Sequence, residues 1–114
     1  MGISTASAAT DAATIRVPLG GTAGFIVDSV VVYNATGNVA TATLGVFTGA
    51  GGTGVTIVAD ALLTGVAGPT DVSARTVAAT ATTPKVVASN LFVRIGTAVA
   101  GQTVDVVIYG RKLP

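Results

Sequence analysis

Two runs decide the fold: Gly24–Tyr33, GFIVDSVVVY, and Val39–Phe47, VATATLGVF, divided by Asn34-Ala35-Thr36-Gly37-Asn38. The first is rich in β-branched and aromatic residues, the second alternates, and an Asn/Gly cluster separates them, so the pair reads as a β-hairpin. In the register that sets Tyr33 against Val39, Val31 meets Thr41, Ser29 meets Thr43 and Phe25 meets Phe47. Ile26, Val30 and Val32 then share the other face with Val46, Ala42 and Ala40. Both faces are largely apolar. Such a strand belongs in the middle of a sheet with a partner over its outer face, or in a subunit interface. Asp28 interrupts the second face.

A second pair closes the chain. Leu91–Gly96 and Thr103–Tyr109, joined by Thr97–Gln102, set Leu91 opposite Ile108, Val93 opposite Val106 and Ile95 opposite Val104 on one apolar face. The same register places Arg94 against Asp105 on the other face, and agreement between core pattern and charge pairing marks a preferred register.

Between and around these pairs the punctuation is regular. Residues 1–13 are small and polar and read as a flexible N-terminal arm, disordered or ordered on a neighbouring subunit. Thr14–Pro18 is a short strand ended by Pro18 and Gly20-Gly21. Thr48–Gly54 is a glycine-rich loop, Val55–Ala59 a strand, and Asp60–Ala67 either a strand or a single helical turn. Gly68–Asp71 is a turn, Arg75–Ala79 a short strand, and Lys85–Val87 a strand or the lead into one. About seven or eight short strands with no amphipathic helix make an all-β protein, a single antiparallel β-sandwich, jelly-roll-like, over residues 14–114.

Composition narrows the partners. The chain has 114 residues, enough for one domain; half are hydrophobic and only 10% charged. No uncharged apolar stretch is long enough to cross a bilayer as a helix. A chain so poor in charge is expected to hide part of its outside against copies of itself or a partner. The net charge of +1 and six scattered basic residues leave no footprint for nucleic acid or an anionic membrane. The N-terminus lacks the basic and apolar regions of a secretory signal, so synthesis in a cytoplasm is the expectation.

Catalytic equipment is sparse. There is no histidine, cysteine or glutamate. Asp11, Asp28, Asp60, Asp71 and Asp105 are scattered rather than paired, and the serines stand in no nucleophile-elbow or SxxK pattern. Gly49–Gly54 matches GxGxxG, with Asp71 about twenty residues on, but the strand-former VTIVA follows where phosphate binding needs a helix N-terminus. The motif reads as a loop between strands. Asn34-Ala35-Thr36 is a glycosylation sequon by letters and a turn by context. The five aromatics, Phe25, Tyr33, Phe47, Phe92 and Tyr109, lie on apolar strands and read as core. No catalytic, cofactor or metal residue is assigned, no cofactor is expected, and Asp28, Arg94 and Asp105 are the candidate polar contacts of an interface.

Across nearly its whole length the chain resembles the small β-sandwich virion proteins of tailed bacteriophages that decorate or cement the capsid. The likeness is carried by a small-residue N-terminal segment, FIVDSVVVYNATGNVATATLGVFTGAGGTGVTIVADALL, and a closing LFVRIGTAVAGQTVDVVIYG. The resemblance implies a non-enzymatic protein on the capsid surface that binds assembled major capsid protein, often as a homotrimer at three-fold positions, and reinforces the shell. A neck, tail or fibre-base component would share these features, and a glycan- or receptor-binding sandwich is the alternative of another class.

Overall fold

Alternating aliphatics build the core. Val30, Val32, Leu44, Val46, Val93, Ile95 and Val104 are fully buried, each on a strand whose intervening residues are more exposed or lie on the opposite face. The computed structural model describes residues 2–4, 10–16, 24–77, 85–86 and 90–112. Its strands are β1 (Gly2–Ser4), β2 (Thr10–Arg16), β3 (Phe25–Tyr33), β4 (Thr43–Gly49), β5 (Thr53–Leu62), β6 (Val72–Arg75), β7 (Lys85–Val86), β8 (Asn90–Ile95) and β9 (Thr103–Lys112). One sheet runs β1-β9-β3-β6, with β7 also pairing to β3, and the other runs β2-β8-β4-β5. All pairings are antiparallel. This is an all-β sandwich with strands in jelly-roll order, as the turn spacing and patterning lead one to expect.

The two expected hairpins do not form. β3 pairs with β9, β6 and β7 in one sheet, whereas β4 pairs with β5 and β8 in the other. Likewise β8 lies between β2 and β4, and β9 between β1 and β3. Alternation fixes which side chains face the core, but two inward faces meet equally well side by side in one sheet or across the sandwich. The connection decides. Asn34 takes a left-handed conformation (φ 54°), and Ala35, Val39 and Ala42 are fully buried, so residues 34–42 arch over one end of the core. Val39 donates its N–H to the Val66 carbonyl, Ala42 to Val39, and Leu63 to Ala42, which ties this arch to the β5–β6 connection. Asn38 Oδ1 accepts the Ala40 N–H in an Asx turn. The β8–β9 arch is held by Gly96 N–H to the Thr43 carbonyl and by Thr97 N–H to Thr43 Oγ1. Leu91, Val93, Ile95, Val104 and Val106 are buried as expected, now facing each other from opposite sheets.

A β-bulge alters the face assignment of β3. Its register with β9 shifts between Val27 and Ser29, so the buried set is Phe25 and Val27 before the bulge and Val30 and Val32 after it. Ile26 therefore does not share a face with Val30 and Val32. Val27 pairs with Gly110, where a Cβ would stand 2.6 Å from the Ile26 carbonyl oxygen, so the close approach of the two backbones requires glycine.

The remaining boundaries move modestly. The arm expected over residues 1–13 is strand over Gly2–Ser4, paired with Thr103–Asp105 of β9, and over the start of β2 at Thr10. Strand pairing is made by backbone groups and needs no bulky anchors, which is why a small-residue composition concealed it. Residues 5–9 lie outside the described set. The strand expected over Thr14–Pro18 begins earlier, at Thr10, and Asp60–Leu62 extends β5. β6 is Val72–Arg75 rather than Arg75–Ala79, whose last two residues are outside the described set. The Gly68–Asp71 turn is present, with Asp71 N–H donating to the Gly68 carbonyl and its carboxylate accepting from Ala67 N–H.

Arg75 bridges the two sheets where their edge strands β6 and β5 overlie. Its Nη2 donates to the Leu62 carbonyl and its Nη1 to Ser73 Oγ, each at 2.9 Å, while its Nε is buried without a hydrogen bond. That burial lowers the proton affinity of its guanidinium from the ordinary arginine value.

Candidate binding face

Because Val104 and Val106 point into the core, strand alternation turns Asp105, Val107, Tyr109 and Arg111 to the outer face of the β1-β9-β3-β6 sheet. Beyond the bulge, β3 adds Ser29, Val31 and Tyr33 to that face, and β6 adds Val72 and Ala74. Register places these in rows. Ala74, Val31 and Val107 are neighbours across three strands, Val72, Tyr33 and Asp105 form the next row, and Ser29 lies beside Tyr109. Val31, Tyr33, Val72, Val107 and Tyr109 line a shallow groove of about 370 Å3. Tyr109 is 57% and Val72 68% exposed, and no described element covers them.

Polar groups close the two ends of this apolar stripe. At one end Arg111 grips the bulge residue Asp28, donating from Nε to both carboxylate oxygens (3.2 and 3.1 Å) and from Nη2 to Oδ1 (3.0 Å). At the other, Asn34 Nδ2 donates to Asp105 Oδ2 at 2.9 Å. An apolar centre with a polar rim is the arrangement of protein–protein contact surfaces. Both side chains of the Asp28–Arg111 pair are well exposed, so Asp28→Asn is expected to lower stability by less than about 1 kcal/mol. Chemical denaturation checks this; a loss several times larger would mean that the pair, rather than backbone hydrogen bonds, holds the bulge.

Of the three candidate interface residues, the fold brings Asp28 and Asp105 onto this one face. Arg94 is elsewhere. It lies on β8 with Asp11 of β2 and Gly45 of β4 as register partners, so the expected Arg94–Asp105 pairing is replaced by Asn34–Asp105. The aromatics divide. Phe25 and Phe47 are buried as expected, but Tyr33 and Tyr109 are exposed and flank the groove. For Tyr109 the sequence held the signal, since the register that buries Val104 and Val106 turns residue 109 outward. For Tyr33 the bulge at Asp28 hid it.

The GxGxxG stretch is a connection between strands, as its context indicated. β4 runs through Gly49, a single 3-10 turn covers Ala50–Gly52, and β5 begins at Thr53. Gly51, Gly52 and Gly54 are all left-handed (φ 70°, 79° and 74°), and Thr53 Oγ1 donates to the Ala50 carbonyl. The turn packs toward β2 and β8, against the outer face of the second sheet. On that sheet the edge strand β5 exposes Val55 and Leu62.

Among the described residues no group of three acidic side chains is placed to hold a metal ion, and no helix is long and apolar enough to cross a membrane. In comparison with known proteins, no family model matches the chain, and no curated protein or solved structure matches it.

Proposed function

We propose that this chain is a structural virion protein of a tailed bacteriophage, one that binds the assembled major capsid protein lattice and stabilises the head as a decoration or cement protein. The supporting observation is that a charge-poor sandwich exposes apolar side chains on both sheets: Tyr33, Val72 and Tyr109 on one, Val55 and Leu62 on the other. A body covered on more than one side fits a lattice component, which meets both its own copies and the shell. The sequence resemblance supplies the identity of that lattice. Binding only the assembled form stabilises it by mass action, and several linked copies raise the effective concentration at each site. The reading assigns the chain to the virion surface, after synthesis in the host cytoplasm, and gives it no enzymatic role. A neck, tail or fibre-base position would use the same surfaces under different symmetry.

The test is co-sedimentation of the purified protein with expanded heads of the phage that encodes it, beside unassembled capsid protein. Saturable binding to heads, at a fixed number of copies per capsomer and absent from free subunits, is the expected result. Failure to bind heads overturns the reading. One observation favours a second reading, a glycan-binding sandwich: two tyrosines flank a groove that has carboxylates at its ends. Retention on a glycan array with no binding to heads would select it.

A further inference from the structure

The outward residues of β9 form a pattern that is complementary to its own reverse. Asp105, Val107, Tyr109 and Arg111 stand at successive outward positions, so the strand presents anion, apolar, apolar, cation. A two-fold axis running across the strands at the level of Ile108 lays residue 105 of one copy on residue 111 of the other, and residue 107 on residue 109. Opposite charges meet at both ends and apolar groups meet between them. An axis parallel to the strands would stack Asp105 on Asp105, which is repulsive. β3 accepts the same axis. Val30 pairs with Ile108 and so lies on it, which lays Tyr33 over Ile26 and Val31 over Ser29.

The polar groups at the ends have capacity to spare. Arg111 uses Nε and Nη2 on Asp28, which leaves Nη1 outside that fork, and Asp105 uses Oδ2 on Asn34, which leaves Oδ1 as an acceptor. We propose that the outer face of the β1-β9-β3-β6 sheet is a two-fold interface between copies of this chain, with Asp105 of each copy paired to Arg111 of the other. Size fits a weak dimer. The four strands of the sheet hold 3, 10, 9 and 4 residues. At roughly 3.3 Å per residue and roughly 4.8 Å per strand they cover about 400 Å2 in flat projection per copy and about 800 Å2 for the pair, in the class of small, weak interfaces. An isologous contact of this kind closes on itself. It departs from the trimer that the resemblance implies, and it does not rest on the capsid reading, because the dimer forms without capsids.

Native mass spectrometry of the full chain at tens of micromolar and low salt tests it. The expected species is a dimer at twice the 11.0 kDa chain mass. Asp105→Arg is expected to raise the dissociation constant by about tenfold or more, because it sets two cations against each other. The triple variant Asp28→Arg, Asp105→Arg, Arg111→Asp reverses every charge while keeping the pattern, and is expected to restore the dimer. Tyr109→Asp removes an apolar contact without touching the Asn34–Asp105 bond and is expected to give monomer. Circular dichroism reports that each variant is folded. A wild-type monomer or trimer, an Asp105→Arg dimer of unchanged affinity, or a folded triple variant that stays monomeric would each overturn the proposal.

Discussion

Leu44→Ala is expected to lower the unfolding free energy by about 3 kcal/mol and the melting temperature by roughly 10–15 °C. Leu44 is fully buried on β4, whose neighbours β5 and β8 hold it on both sides, with Ala61 and Ile95 as its register partners. Truncation removes buried methyl groups and leaves a cavity. The flanking backbones are fixed by ladder hydrogen bonds, so the site has little freedom to collapse and the cavity adds to the lost burial. Small domains have about 5–15 kcal/mol of stability in all, so this one side chain carries a large share. Val72→Ala is the internal control. Val72 is equally aliphatic but 68% exposed on β6, and its loss is expected to change stability by less than about 0.5 kcal/mol. Urea denaturation with equal slopes for both variants measures the difference. Equal midpoints would mean that Leu44 does not stand in the core.

What the sequence made legible was the period-two pattern and little that depends on sheet order. Leu91, Val93, Ile95, Val104 and Val106 could be assigned to the core because alternation alone decides which way a side chain points. Whether β8 and β9 are neighbours or face each other across the sandwich leaves that alternation unchanged, so the hairpin and the arch were equally compatible with it. The information that separates them sits in the connections. Val39 looked like the first residue of a strand and is instead buried within an arch, and Asn34 looked like a turn residue and marks the departure from the sheet. The candidate face was legible in half. Tyr109 and Asp105 follow from the parity of β9, whereas Tyr33 depends on the bulge at Asp28, where an acidic residue interrupts the apolar run without by itself showing that the ladder gains a residue. The partner of Asp28 lies 83 residues away at Arg111, a contact made only once the sheet sets β9 beside β3.

Val39→Asp is expected to abolish cooperative folding at neutral pH, while Thr41→Asp is tolerated. The pair discriminates between the two connections, because residues 39 and 41 have the same parity. In a hairpin with β3 they would stand on one face, opposite Tyr33 and Val31, and both substitutions would have similar effects. In the arch Val39 is fully buried, with its N–H bonded to the Val66 carbonyl and its carbonyl to Ala42, whereas Thr41 is exposed. A carboxylate at position 39 is surrounded by the same apolar cluster that holds Ala35, Ala42, Leu63 and Val66. Burying that charge without a partner costs several kcal/mol, comparable to the stability of the whole domain. The pH dependence has a definite sign. Burial raises the folded-state pKa of the introduced acid above the ~3.9 of an unfolded aspartate, so the charge penalty is absent below pH ~4 and grows as pH rises through neutrality. Thermal melts at pH 3.5 and pH 7, each compared with wild type at the same pH, should therefore show the Val39→Asp deficit largest at pH 7. Equal losses for positions 39 and 41 would return the connection to a hairpin, and with it β4 to the side of β3.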